Sequence, residues 1–257
     1  MAEAAAGEQL HRQRKFGGVL LTCFCASACS KEQLQLAPEE EDEISSRRRN
    51  GPSTTINERP LLKIAEAFKE LANVISSGDR SDVEVAAFSR ACSFVTPLFG
   101  SIGFNFKFIE MDYVTKVNDI AEASKSFLTL PSMVDQDVQT NSVRTQGSHS
   151  RNLLKIKRGL DFLRVLMEQV LLTEGNSIRD AVSKAYTQIF NSHHGWALRK
   201  AVDVRLHYLP TKQQMYRKLN EDESEARVLM QTYILASPPL LRYIEKIFLD
   251  RELGIDW

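Results

Sequence analysis

No uninterrupted apolar run in the chain reaches the roughly 20 residues that a helix needs to cross a bilayer, so contact with membranes is expected to be peripheral. Nor is there an excess of positive charge: 33 basic and 33 acidic side chains in 257 residues leave a formal net charge of zero. Proteins that hold nucleic acid by general electrostatics carry a basic surplus, and nucleic acid is not an expected partner. Cysteine is scarce. Three of the four, Cys23, Cys25 and Cys29, fall in the first thirty residues and Cys92 stands alone beyond them. The body of the chain therefore has no internal disulfide, which points to a reducing, cytoplasmic setting. The Cys-x-Cys-x3-Cys spacing does not match paired zinc ligands. A Gly-x-Ser-x-Gly elbow and a metal-ligand cluster are also missing, so no cofactor, metal or catalytic activity is expected. No segment alternates apolar and polar residues as a strand does, and the fold is expected to be all-α.

Residues 1–58 differ in character from the remainder of the chain. The basic residues 11–15 precede 16–28, whose apolar centre and small-residue end look like a signal peptide. The long leading region with Glu3 and Glu8 and the single cysteine of the body fit that reading poorly. An acidic run over 39–43, a basic one over 47–49 and a turn-rich stretch over 50–55 come next. Blocky charge with so little apolar content predicts a disordered N-terminal extension over 1–58 and a folded domain over 59–257.

From Pro60 onward the helical period dominates. Pro60 suits a first helical turn; Leu61, Ile64, Phe68, Leu71 and Ile75 recur on one face, and Gly78-Asp79 ends the run. Residues 83–99 carry Val85, Phe88, Cys92 and Phe94 towards a break at Pro97 and Gly100. A third helix is expected over 102–127, with Asp112, Lys116 and Asp119 on one face beside Phe108 and Ile109, and Phe106, Val114 and Val117 on another. The Asp112–Lys116 spacing fits an exposed helix pair worth about 0.3–0.5 kcal/mol, or a partly buried polar site. Residues 131–146 read as a polar connection. Later helices are expected over 178–190, 211–219, 221–236 and 238–253, the last two parted at Pro238-Pro239. Adjacent His193 and His194 cannot both face one metal from a regular helix, so the plain reading is one buried core histidine. Residues 206–212 with Tyr216, Arg217 and Lys218 mix aromatics and cations as a membrane interface does.

The most informative stretch runs from Gly147 to about Thr173. Leu153, Ile156, Leu160, Leu163, Met167 and Val170 alternate at spacings of three and four and mark a core face. On the opposite side Arg151, Lys155 and Arg158 are stacked a turn apart, and Phe162 and Leu166 continue that line as apolar residues. Two readings stand. Three cations at helical spacing form a solvated face, or they form, with the helix dipole, a seat for an anionic head whose hydrocarbon tail lies beyond.

Asp112-x3-Lys116, Arg151-x3-Lys155 within a Lys-Arg-Gly-Leu helix and His194-Gly-Trp196 occur in this order. On these motifs, with Pro97-Leu-Phe-Gly100, Glu110-Met-Asp-Tyr113, Gly147-Ser-His149, Lys157-Arg-Gly-Leu-Asp161 and His193-His-Gly-Trp-Ala197, the chain resembles the glycolipid transfer protein superfamily from about residue 60 to Trp257. Within it the chain is similar to the plant accelerated-cell-death branch of ceramide-1-phosphate transfer proteins. The resemblance implies a two-layer sandwich of about eight helices enclosing one sphingolipid, acting as a monomer in the cytoplasm with transient membrane contact. It implies that Asp112 accepts from the sphingoid amide and hydroxyl, that His194 donates to the acyl carbonyl, and that Lys116, Arg151 and Lys155 hold a phosphate. Where the sugar-binding branch has tryptophan and asparagine, this chain has Lys155 and Lys116, which suit an anion better than a sugar. The accelerated-cell-death branch carries arginine at Lys155, and lysine meets phosphate as a point charge rather than a planar fork. A sensor that binds the same lipid without shuttling it, or a hydrolase using Asp112 and His194, are the rival expectations.

Overall fold

The computed structural model describes residues 59–77, 82–103 and 107–257, with Phe108 described in its backbone only. The expectations for residues 1–58, for Gly78-Asp79, for Phe106 and for the side chain of Phe108 lie outside the described residues.

The chain folds into a two-layer sandwich of helices: α1 (Pro60–Ser76), α2 (Val85–Ser93), α3 (Thr96–Ile102), α4 (Lys107–Ala123), α5 (Leu130–Gln139), α6 (His149–Leu172), α7 (Arg179–Phe190), α8 (Trp196–Arg205), α9 (Lys212–Lys218) and α10 (Glu223–Leu249). A single turn of 3-10 helix, Leu206–Tyr208, follows α8. No strand occurs among the described residues. Helix α6 lies at the centre, packed against α4, α5, α7 and α10, while α1 runs along α10 and α2 along α4. The reason is its composition. Leu153, Ile156, Leu160, Leu163, Met167 and Val170 are all buried as their period requires, and Phe162, Val165 and Leu166 are buried as well, so little of the helix beyond its first turns is left for solvent.

Several boundaries differ from the sequence expectation, each for a packing reason. Residues 83–99 are not one helix: a turn at Phe94 and Val95 divides α2 from α3. Val85–Ile102 has a mean hydropathy of 1.3, enough by length and composition to cross a membrane, which corrects the expectation that no stretch is so apolar. Its Phe88, Cys92, Leu98 and Phe99 are core residues instead. The third helix, described from Lys107, ends at Ala123 rather than at 127, and Ile102 belongs to α3. The supposed connection over 131–146 contains α5, started by a capping box between Thr129 and Ser132 with Pro131 in its first turn. Leu130, Met133 and Val134 are the buried apolar face of a helix otherwise too polar to show a period.

The expected break at Pro238-Pro239 is absent, and α10 continues through both prolines. Proline removes a ladder N–H and bends a helix. Leu235, in the turn whose carbonyls lose their partners, is exposed to water, while Tyr233, Ala236, Leu240 and Leu241 are buried on either side of the break. Packing on both sides outweighs the two missing bonds.

Candidate functional site

The start of α6 is fixed by three acceptors. Ser148 caps it, its Oγ accepting from the Arg151 backbone N–H at 3.2 Å. Buried Asp137, from the end of α5, accepts from the Ser150 N–H at 2.7 Å. Asp119 of α4 takes the Asn152 amide at 2.9 Å on Oδ2, where His149 Nδ1 also lies 2.9 Å away. One turn and a half further back on α4, the Tyr113 ring rests against Gly159, 3.5 Å from where a Cβ would stand.

These two contacts give the register of α4 on α6. Asp119 meets Asn152 and Tyr113 meets Gly159, so the helices are antiparallel and each step forward on one is a step back on the other. By that register Lys116 comes level with Lys155, and Asp112 with Gly159 and Leu160. Lys116 is only 7% exposed; its Nζ pairs with Asp112 Oδ1 and donates to the Asp112 carbonyl at 3.2 Å. The pair is not the exposed helix pair of the plainer expectation. Arg151 and Lys155 are half-buried on the α6 face that begins here, and Arg151 Nη1 donates to the Arg144 carbonyl at 3.1 Å.

His194 enters from the loop between α7 and α8. It is 9% exposed, its ring stacks on Phe190 at 5.1 Å with 7° between the planes, and Phe190 in turn lies 5.5 Å from Phe162. Phe162 is one turn beyond Arg158 on α6, so this aromatic series brings His194 to the same stretch of helix. The Tyr186 hydroxyl is 2.8 Å from His194 Nδ1. Burial, and after it the charges of His193 and Arg158, pushes the His194 imidazole down to about 4, which keeps it neutral at pH 7. Burial raises the Tyr186 phenol to about 12. The protonated phenol either donates to Nδ1 or accepts from it; in the tautomer with the ring proton on Nε2, that nitrogen is a donor.

Beyond Phe162 the α6 line continues in Leu166, which joins Leu163, Met167 and Val170 of the core face. Leu163, Leu166, Met167 and Val170 face Leu98, Ser101 and Ile102 of α3 and Met215 of α9 across a void of only about 20 Å³, little more than a water occupies. The apolar seam is closed and is held by side chains alone.

The arrangement is a row along one helix: cations at its N-terminal end, an acid–base pair and a neutral histidine at the middle, then a closed seam of aliphatic side chains. Among the described residues no cluster of His, Cys, Asp and Glu suited to a metal is found.

The sequence matches the family description "Glycolipid transfer protein (GLTP)" over residues 83–221, and it is 50% identical over 201 residues to accelerated cell death 11 of Arabidopsis thaliana, covering 78% of this chain and 97% of that relative. The chain belongs to the glycolipid transfer protein family. A ceramide-1-phosphate transfer protein of Danio rerio is 26% identical over 172 residues, 62% of this chain and 79% of the relative. A crystal structure of an aspartate-to-asparagine mutant of the Arabidopsis protein, in complex with C12 ceramide-1-phosphate, superposes with a TM-score of 0.77 at 48% identity, covering 79% of this chain and 100% of that one. Human ceramide-1-phosphate transfer protein with its 12:0 ligand shares the fold, with a TM-score of 0.64 at 19% identity over 75% of this chain and 97% of that chain. The glycolipid transfer protein fold is thus the architecture in which the row of site residues is set.

Several features of this arrangement have no distinct signal in the sequence. Arg158 belongs to the basic stack, which by itself gives it no role. Tyr186, one turn and a loop before His194, is one aromatic among many. Asp119 and Asp137 look like ordinary helix-surface acids. In the stretch expected at a membrane surface, 206–212 with 216–218, His207, Tyr208, Arg217 and Lys218 are exposed. Leu206, Lys212 and Tyr216 are buried, and Lys212 Nζ is spent on the Thr173 carbonyl. The exposed apolar residues of that region are Trp196, Val204 and Tyr208.

Proposed function

We propose that this chain carries a phosphate-headed sphingolipid, ceramide-1-phosphate, between membranes without making or breaking a bond. The observation that carries this reading is the row along α6, in which a cationic face runs into a closed apolar seam with hydrogen-bonding groups at the boundary. The relatives named for this lipid, and the Arabidopsis structure holding it, support the reading. In it Lys116, Arg151 and Lys155 hold the phosphate through charge-assisted bonds. Asp112 accepts from the ceramide amide and hydroxyl, and His194 donates to the acyl carbonyl from Nε2. A buried amide left unpaired costs kilocalories, so these contacts matter as much as those to the phosphate.

Hydrocarbon contributes little to the choice of ligand. Each methylene gains roughly 0.8 kcal/mol on leaving water, but a lipid taken from a bilayer leaves an environment equally apolar. Discrimination therefore falls on the polar row, while α3, α6 and α9 part to admit the chains. Trp196, which directly follows the His194 loop, with Val204 and Tyr208 gives the mouth an exposed apolar margin for transient contact with a membrane surface. The protein acts as a cytoplasmic monomer, without cofactor, metal or nucleic acid.

The deciding experiment is native mass spectrometry of the lipid that co-purifies, followed by a vesicle-to-vesicle transfer assay. Ceramide-1-phosphate should be bound and should move between vesicles. Binding without transfer would make the protein a sensor, and released phosphate or fatty acid would make it a hydrolase. Arg151→Glu should lower uptake of the phosphate-headed lipid at least tenfold more than that of neutral ceramide, about 1.4 kcal/mol of difference; equal losses would mean the cationic face is structural.

A further inference from the structure

Beyond α10 the chain turns at Gly254, whose φ of 68° lies in the left-handed region that favours glycine, and lays residues 253–257 against the cationic end of the site. Arg158 Nη2 donates to the carbonyl oxygens of Ile255 at 2.7 Å and Trp257 at 2.6 Å. Arg144 Nη2 donates to the Leu253 carbonyl at 3.1 Å, and its guanidinium lies 5.3 Å over the Trp257 ring. The Trp257 indole N–H donates to the carbonyls of Leu253 and Gly254 at 3.0 Å, and the ring meets Phe248 at 6.2 Å. Arg144 is also the residue whose carbonyl holds Arg151. Two arginines bordering the headgroup row are thus engaged by main-chain oxygens and a ring of one short tail.

We propose that residues 253–257 are a strap that an anionic headgroup displaces from Arg158, which makes Arg158 and this tail determinants of headgroup specificity. Arg158 stands one turn from Lys155 on the same face of α6, level with Tyr113 of α4. The guanidinium already makes charge-assisted bonds to the tail; a phosphate adds a formal charge of about −1.5 to −2 and an oxygen geometry that the planar fork matches. That added Coulomb attraction is what offsets the loss of the two tail bonds. A neutral hydroxyl or sugar recovers less. The strap therefore opposes every ligand equally on entry, and only an anionic headgroup offsets it. This inference rests on the phosphate-headed lipid reading and adds that part of the discrimination is exerted by the tail.

The chain has two tryptophans, so Trp196→Phe leaves Trp257 as its single reporter. In that variant Trp257 emission is followed on adding ceramide-1-phosphate, ceramide, or inorganic phosphate at the same concentration, with uptake counted in parallel by native mass spectrometry. A red shift with ceramide-1-phosphate, and none with ceramide or inorganic phosphate, is expected. Uptake of ceramide-1-phosphate with an unmoved Trp257 would overturn the strap alone, as would an equal shift from inorganic phosphate. No uptake by the otherwise unaltered protein would overturn the proposed function and the strap with it. In otherwise unaltered protein, Trp257→Ala and removal of residues 255–257 should each raise uptake of neutral ceramide relative to ceramide-1-phosphate roughly fivefold, about 1 kcal/mol. Circular dichroism checks the fold, and if the shortened chain does not fold, Trp257→Ala carries the test; an unchanged ratio overturns the proposal.

Discussion

Asn152 on α6 donates its side-chain amide to Asp119 on α4 at 2.9 Å, and this bond sets which cations meet across the seam between the two helices. With Asp119 opposite Asn152, Lys116 is level with Lys155. A shift of one residue would rotate Lys116 about 100° away from that position, because successive side chains on an α-helix point in directions that far apart.

Asp119→Ala should therefore weaken both fold and site. Loss of the Asn152 bond and of the His149 contact is expected to cost about 1–2 kcal/mol, read as a lowered urea midpoint, with reduced lipid transfer at temperatures where the variant is still folded. Asp119→Asn keeps an acceptor and should lose less. Equal behaviour of the two variants would show that the register does not depend on this residue.

Asp112→Asn keeps the shape of the side chain and the hydrogen bond of Lys116 to the residue-112 carbonyl while removing the carboxylate. Ceramide-1-phosphate uptake is expected to fall about tenfold, the loss of one charge-assisted bond, with the circular dichroism spectrum unchanged. Titration of lipid-loaded against empty protein by native mass spectrometry measures it. An unaltered affinity would remove Asp112 from the site.

Lys155→Arg should strengthen the hold on a phosphate headgroup. A guanidinium replaces a point charge with a planar fork, and a gain of two- to fivefold in affinity for ceramide-1-phosphate, absent for neutral ceramide, is expected from roughly 0.4–1 kcal/mol of better geometry. Competition between the two lipids in one sample gives the ratio directly.

His194 gives the protein a pH dependence. Its folded imidazole is held near 4, below the usual 6.5, chiefly by burial and then by His193 and Arg158; Tyr186 and Phe190 are its other neighbours. Between those two values the unfolded chain binds a proton that the folded chain refuses. Stability is full above pH 6.5 and is lost as pH falls towards 4. His193 is shifted in the same direction, by burial first. His194→Gln should flatten the slope of the melting temperature over pH 4–6.5, removing on the order of 1–2 kcal/mol of the difference between its ends. A slope equal to that of the parent would show that His194 does not titrate in this window.

Much of this molecule is written in local order. The period of α6 is readable because side chains three and four apart share a face whatever the helix packs against, so its core stripe, and the change on its opposite side from Arg151, Lys155 and Arg158 to Phe162 and Leu166, were determined by sequence. So were the order of the motifs that mark the family and the helical character of the chain from Pro60 onward. What tertiary structure decided are relations between residues far apart in the chain: Asp119 with Asn152, Tyr186 with His194, and Arg158 with carbonyls 97 and 99 positions later. Helix α5 and the unbroken course of α10 belong here too, since a short polar helix and a helix through two prolines persist only where neighbours bury their apolar side chains. Periodicity fixes the face a residue takes on its own helix; the partner that face meets depends on how helices slide and turn against each other, which is settled by packing over the whole core.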